Sequence, residues 1–169
     1  MNIALVAHDG RKKEMIEWVT YNAETLTKHK LFATGTTGKL IEEIYIGKPK
    51  NWHFDDFGYM EYDYNDVVVF PYKNNVTCLL SGPLGGDSQI SAMIAEGKID
   101  CLIFFCDNLI TQGHQQDVSA LSRIASLYNI PFATNRTTAD MILTSSLFGN
   151  PDYQRIIPKC IDDYKNRKL

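Results

Sequence analysis

No stretch of this 169-residue chain is apolar for the ~20 residues that a bilayer-spanning helix needs, and the run before His8 is too short for the hydrophobic segment of a secretion signal. Cysteine is scarce. Cys78, Cys101, Cys106 and Cys160 include no C-x-x-C pair, and three of them fall within or at the ends of apolar strand-like runs. That argues against a disulfide or zinc framework and for reduced thiols in a cytoplasmic protein. Basic residues are not in excess: 17 Lys and Arg against 20 Asp and Glu leave a net charge of −3. A general nucleic-acid or membrane-surface binder is therefore not expected, and an anion would have to be held by a local pocket. The histidines and carboxylates lack metal-ligand spacing such as H-E-x-x-H, which disfavours metal-assisted chemistry. Neither a Walker A loop nor G-x-G-x-x-G occurs, so no nicotinamide or flavin cofactor is indicated. There is no internal repeat and no low-complexity tract.

What is present is ordinary for a globular protein: 44% hydrophobic and 22% charged residues. The length suits one domain, 1–169, that buries roughly 70% of its unfolded surface. Ile3–Ala7 reads as a buried strand, followed by Met15, Val19, Ala23 and Leu26 on one helical face. Leu31–Ala33 predicts a second strand, with a helix over 38–44. Thr77–Leu80 predicts a third, with a helix over 89–96. Ile99–Phe105 is the most apolar strand and precedes a helix over 117–128; 130–134 and 138–143 close the series. Unbroken apolar strands, each followed by a helix, imply a parallel sheet covered on both faces, a three-layer α/β/α Rossmann-like domain. The stretch at about 46–76 breaks this rhythm. It is aromatic and acidic, with Trp52, Phe54, Phe57, Tyr59 and Tyr62 among its residues, and reads as an ordered insertion in which Val67–Phe70 could form a strand.

Ligands bind open parallel sheets at the carboxyl ends of the strands, so the residues just beyond each strand matter most. After the first strand come His8, Asp9 and Lys12, and after the second Thr34, Gly35, Thr36, Thr37 and Gly38. Ser81, Gly82 and, beyond two further glycines, Asp87 come after the third. Asp107 comes after the fourth, with His114 and Asp117 further on. The 34–38 segment opens a helix, where unpaired N–H groups and the helix dipole favour an anion; its threonine hydroxyls and Lys12 would suit a phosphate monoester. A threonine that only caps its helix, an N-cap role for Asp87 and a solvent-exposed His114 account for the same residues one at a time. Convergence on one sheet edge is the functional signal.

Five stretches together resemble the methylglyoxal synthase family: Ile3–Asp9, Ala33–Gly38, Leu80–Asp87, Glu96–Asp100 and Ile130–Asn135. The pairing of Thr-Gly-Thr-Thr-Gly with Ser-Gly-Pro-Leu-Gly-Gly-Asp is the specific part. The resemblance implies a five-stranded parallel sheet ordered 3-2-1-4-5. It also implies a homohexamer without cofactor that removes phosphate from dihydroxyacetone phosphate, giving methylglyoxal and inorganic phosphate, with free phosphate as an inhibitor. By position, Asp87 matches the family's proton-abstracting aspartate. His114 matches the histidine at the substrate carbonyl, and Asp117 and Asp9 match acidic residues beside the site. Lys12, Thr34, Thr36, Thr37, Ser81 and Gly82 match phosphate-binding positions, with Gly35 inside the same loop, and His8 matches a substrate contact. Arg167 falls where the family places an arginine that reaches the phosphate from a neighbouring subunit. The sequence departs from the family pattern at Gln115, at Cys106-Asp107-Asn108, and in the insertion. The same fold also resembles the effector-binding domains of carbamoyl phosphate synthetase, which bind phosphate and catalyse nothing. Such a module would have no need of Asp87, His114 and Asp117.

Overall fold

The computed structural model describes residues 1–49, 52–54, 60–62, 67–71, 75–109 and 115–167. Five strands form one sheet: β1 (Asn2–Ala7), β2 (Lys30–Ala33), β7 (Val76–Cys78), β8 (Cys101–Phe105) and β9 (Phe132–Ala133). Their order is β7-β2-β1-β8-β9 and every pairing is parallel. Numbered within the sheet, that is the expected 3-2-1-4-5. The helices are α1 (Lys12–Tyr21), α2 (Ala23–Leu26), α3 (Gly35–Glu42), α4 (Gly86–Ala95), α5 (Gln115–Leu127), α6 (Arg136–Leu143) and α7 (Lys159–Lys165). Among the described residues no helix is long and apolar enough to cross a membrane, and all four cysteines are free thiols.

Strand alternation sorts the core into two layers. Ile3, Leu5, Ile103 and Phe105 face one way and pack with Met15, Trp18 and Val19 of α1, Ile41 of α3 and Ala139 of α6. Ala4, Val6, Leu102 and Phe104 face the other way, onto Ile90 and Ile94 of α4 and Leu121 and Ala125 of α5. One polar link runs through the first layer: the fully buried Trp18 donates its Nε1–H to Asp140 Oδ1 at 2.7 Å and so ties α1 to α6. An indole nitrogen inside a core needs such an acceptor.

The described residues of the aromatic stretch form β-strands, while Phe57 and Tyr59 lie outside the described residues. Strands β3 (Tyr45–Pro49) and β6 (Val67–Pro71) pair antiparallel, and β4 (Trp52–Phe54) pairs with β5 (Met60–Tyr62) between them in the chain. The chain leaves the main sheet's framework beyond Ile44 and rejoins it at Asn75. Asn75 lies at the start of β7, where its carbonyl accepts from Leu31 N–H at 2.7 Å and its side-chain amide donates to the Thr27 carbonyl. Both roots therefore lie at the amino ends of the strands, opposite the edge where β1, β2 and β8 end.

Ile103 is fully buried in the middle of β8, whereas Met141 is 68% exposed on α6. Ile103→Ala is expected to lower the unfolding free energy by about 2–5 kcal/mol. Met141→Ala should change it by less than about 0.5 kcal/mol. Urea titration of both variants checks the pair.

Candidate active site

At the carboxyl edge of the sheet, three segments surround a cavity of about 270 Å³. That is at the low end of ordinary ligand pockets, suited to a small anion or sugar phosphate and too small for a dinucleotide. The first segment comes directly after β1: His8, then a 3₁₀ turn (Asp9–Arg11) that places Lys12 at the start of α1. Lys12 Nζ is ion-paired with Asp9 Oδ1, the lysine side chain being 22% exposed and the aspartate 77%. The second segment is the Thr34–Gly38 turn into α3, and the third runs from Ser81 to Asp87.

Thr34 is the N-cap of α3, yet its side chain makes no capping hydrogen bond. Capping therefore does not account for these threonines. Thr34 and Thr37 are both buried, and the Thr37 hydroxyl has no hydrogen-bond partner among the described residues. Gly35 N–H is used by the carbonyls of Leu79 and Leu80, and Gly38 N–H by that of Thr34. The N–H groups of Thr36 and Thr37, by contrast, have no backbone acceptor among the described residues. A buried hydroxyl and two open amides at a helix N-terminus form a receptor for oxyanion oxygens.

Close approach of the second and third segments requires glycine. A Cβ on Gly35 would stand 2.3 Å from Ser81 Oγ, and one on Gly86 would stand 2.0 Å from the Leu80 carbonyl oxygen. Ser81 precedes a short 3₁₀ turn (Gly82–Leu84). Gly85, at φ 101°, then reverses the chain into α4 and is its N-cap. Asp87 is consequently not the N-cap that its position after two glycines suggests; it sits inside the first turn of α4. Its carboxylate lies against Gly82, where a Cβ would come within 3.0 Å of Oδ2. A carboxylate beside an anion cradle is placed to take a proton from whatever the cradle holds.

His8 is the remaining wall. Its Nδ1 accepts the backbone N–H of Asp107 at 2.8 Å, and its ring meets Phe104 edge-on with centroids 5.0 Å apart. Because Nδ1 serves as acceptor, the neutral ring carries its hydrogen on Nε2. That nitrogen is buried without a partner among the described residues. The site thus holds a second unused polar atom, a donor, in a residue that lines the cavity. Cys106 next to it is no nucleophile: burial pushes its thiol up to about 11, only partly opposed by the Arg11 guanidinium. Among the described residues no three histidines, cysteines or carboxylates converge as metal ligands would.

Of the residues singled out from sequence, His8, Asp9, Lys12, Thr34, Thr36, Thr37, Ser81, Gly82 and Asp87 line this one cavity, with Gly35 wedged behind Ser81. His114 and the Asp117 side chain lie outside the described residues; Asp117 itself belongs to the first turn of α5. Arg167 lies just beyond α7 and is not a wall of its own chain's cavity. It stacks on Tyr164, 4.0 Å from the ring centroid. Asp107 is a site residue that sequence reasoning does not assign, although a 2-1-4 strand order makes the residues after β1 and β8 neighbours. Asn135, part of a recognised motif, serves the fold: its side chain caps α6 by accepting Thr138 N–H at 2.9 Å.

Residues 14–134 match the family model described as MGS-like domain. The chain is 47% identical over 159 residues to the methylglyoxal synthase of Proteus mirabilis (strain HI4320), covering 90% of this chain and 87% of the relative. It is 44% identical over 162 residues to that of Pectobacterium atrosepticum, covering 92% and 89%. A crystal structure of methylglyoxal synthase from Elizabethkingia anophelis NUHP1 superimposes with a TM-score of 0.74 at 40% identity, over 99% of this chain and 91% of that one. The second and third segments of the cavity lie wholly inside the matched span, and identity at this level extends well beyond a shared architecture. The chain belongs to the methylglyoxal synthase family.

Proposed function

We propose that this protein eliminates phosphate from dihydroxyacetone phosphate to give methylglyoxal, acting in the cytoplasm as a homo-oligomer, a hexamer by family expectation, with inorganic phosphate as product and inhibitor. The observation that carries this reading is the pairing of an unfilled oxyanion cradle with a carboxylate in the same small cavity. Thr37 and His8 each offer a buried polar atom without a partner among the described residues, and Asp87 stands against Gly82 at the cradle's rim. A non-catalytic effector module would use the threonine turn and Lys12 but leaves Asp87 unexplained.

In this reading the amides of Thr36 and Thr37, the threonine hydroxyls, Ser81, Gly82 and Lys12 hold the phosphate. Asp9 orients Lys12; an exposed ion pair contributes only about 0–1 kcal/mol to stability, so its worth lies in direction. Asp87 takes a proton from the hydroxymethyl carbon next to the carbonyl. The charge that develops on the carbonyl oxygen is met by donors, His8 Nε2–H and His114, with Asp117 beside them. The enediolate then expels phosphate if the C–O bond to the leaving group lies parallel to the π system. Held in the plane instead, that bond survives. The cradle therefore sets a torsion as well as an affinity. The released enol tautomerises to methylglyoxal, and no redox cofactor enters the balance.

Asp87→Asn keeps the shape of the side chain but cannot accept a proton at neutral pH. It is expected to lower kcat by roughly 10²–10⁴-fold while inorganic phosphate still binds. Retention of a tenth of wild-type turnover would remove Asp87 from the role. If Arg167 reaches a neighbouring subunit's phosphate, Arg167→Ala raises KM and the phosphate inhibition constant together, by roughly tenfold for one lost charge-assisted hydrogen bond. Mixed oligomers of Arg167→Ala and Asp87→Asn subunits then regain activity, since some interfaces hold both native residues. No recovery in verified mixtures would place Arg167 elsewhere. The insertion roots at the edge opposite the cavity, so replacing residues 48–72 with a short Gly-Ser linker should lower stability or shift assembly and leave phosphate affinity unchanged. A stable oligomer that has lost phosphate binding would make the insertion a lid.

A further inference from the structure

We propose that Gln89, which is not a cavity wall, is the positioning residue that fixes the distance between the phosphate cradle and Asp87. The proposal rests on the function given above. Along 79–86 most of the backbone bonds that tie the loop down run to backbone partners. Leu79 N–H completes the ladder to the Ala33 carbonyl at 2.8 Å, and the carbonyls of Leu79 and Leu80 both receive Gly35 N–H at 3.1 Å. The Ser81 carbonyl takes the N–H groups of Leu84 and Gly86 at 2.9 and 3.0 Å, and the Gly82 carbonyl that of Gly85 at 2.8 Å. Leu80 N–H is held by a side chain instead, whereas Ser81 and Gly82 N–H have no backbone acceptor among the described residues. The Leu80 amide comes just after the last ladder bond and is held at 2.8 Å by Gln89 Oε1.

Gln89 lies one helical turn into α4, its own N–H donating to the Gly85 carbonyl at 3.0 Å. Its side chain thus closes the helix that carries Asp87 back onto the residue that precedes Ser81. Both ends of this bridge bear on the chemistry. Leu80 touches the second segment through Gly35 and abuts Gly86 through its carbonyl, while α4 carries the carboxylate that leans on Gly82. Leu80 is 49% exposed and Gln89 is also exposed, so water can replace the bond and the protein folds without it. Water cannot reproduce the fixed separation. A base misplaced by about 1 Å can cost on the order of 100-fold in rate.

The test compares Gln89→Met, of similar length but without the acceptor, with Gln89→Glu, which keeps an acceptor oxygen in place. Four quantities are read: the thermal midpoint, kcat and KM with dihydroxyacetone phosphate, the calorimetric affinity for inorganic phosphate, and the exchange rate of the Leu80 amide. In Gln89→Met the expected result is an almost unchanged midpoint, faster Leu80 exchange and kcat lowered roughly 10-fold or more. In Gln89→Glu slow exchange and most of kcat return. A purely structural role would lower the midpoint and leave kcat per folded molecule intact, and that result overturns the proposal. So does equal loss in both variants, or a Leu80 amide whose exchange is indifferent to residue 89. Should the wild-type protein bind phosphate yet release none from the substrate, the functional reading fails. Phosphate affinity and Leu80 exchange in the variants then still decide whether Gln89 sets the loop.

Discussion

The N–H of Gly35 donates to two carbonyls at once, those of Leu79 and Leu80, each at 3.1 Å. This shared bond joins the turn after β2 to the loop after β7 so tightly that any side chain at residue 35 would collide with Ser81. The threonine hydroxyls, the open amides of α3, the Ser81–Gly82 turn and Asp87 all take their relative positions from that contact. It exists because β2 and β7 are parallel neighbours, so their outgoing chains emerge side by side with two helix N-termini facing one space. Within one chain, the geometry of the cradle is then a product of sheet order plus three glycines.

The same arrangement separates affinity from chemistry. In the proposed reading oxyanion recognition draws, besides Lys12 and Arg167, on backbone amides and hydroxyls, neutral groups whose directions are fixed by helix geometry. In that reading the Asp87 carboxylate beside Gly82 and the His8 ring stand beside that recognition surface and serve the chemistry. A binding domain and a lyase can therefore share this fold and differ in very few side chains, which is why activity has to be argued from the site and not from the architecture.

The main sheet is legible in the sequence because its strands are short unbroken apolar runs, a pattern that a doubly covered parallel sheet requires, and the alternate residues of β1 and β8 do divide between two cores. Helices α3 and α4 start about three residues before the positions their apolar patterns suggest. Both begin on glycines and threonines or aspartate, poor helix formers whose place is set by the loops they close and not by propensity. Helix α7 has no legible pattern because Ile161 is its one buried residue, leaving no apolar stripe to read. In the insertion only Val67–Phe70 stands out as a strand; its partner reads Tyr-Ile-Gly-Lys-Pro, with a glycine and a proline that strands seldom hold, and β4 and β5 are too short to show an alternation. The cavity residues are legible as strand-end motifs. Gln89 and the bond from Asp107 N–H to His8 are not, since a side chain that holds a backbone amide, and an amide that holds a histidine, leave no spacing signature.

The two rims of this sheet have different tolerances for change in chain length. At the amino rim some thirty residues of chain separate Ile44 from Asn75, and doubling such a connection costs only about 0.6 kcal/mol in closure entropy. At the carboxyl rim a single added residue between Leu80 and Gly86 would pull apart atoms that already touch backbone to backbone. Changes of length at the amino rim bear on stability or assembly, while the opposite loops have to stay fixed residue by residue. Size and sequence can drift at one end of the molecule without the chemistry at the other end registering it.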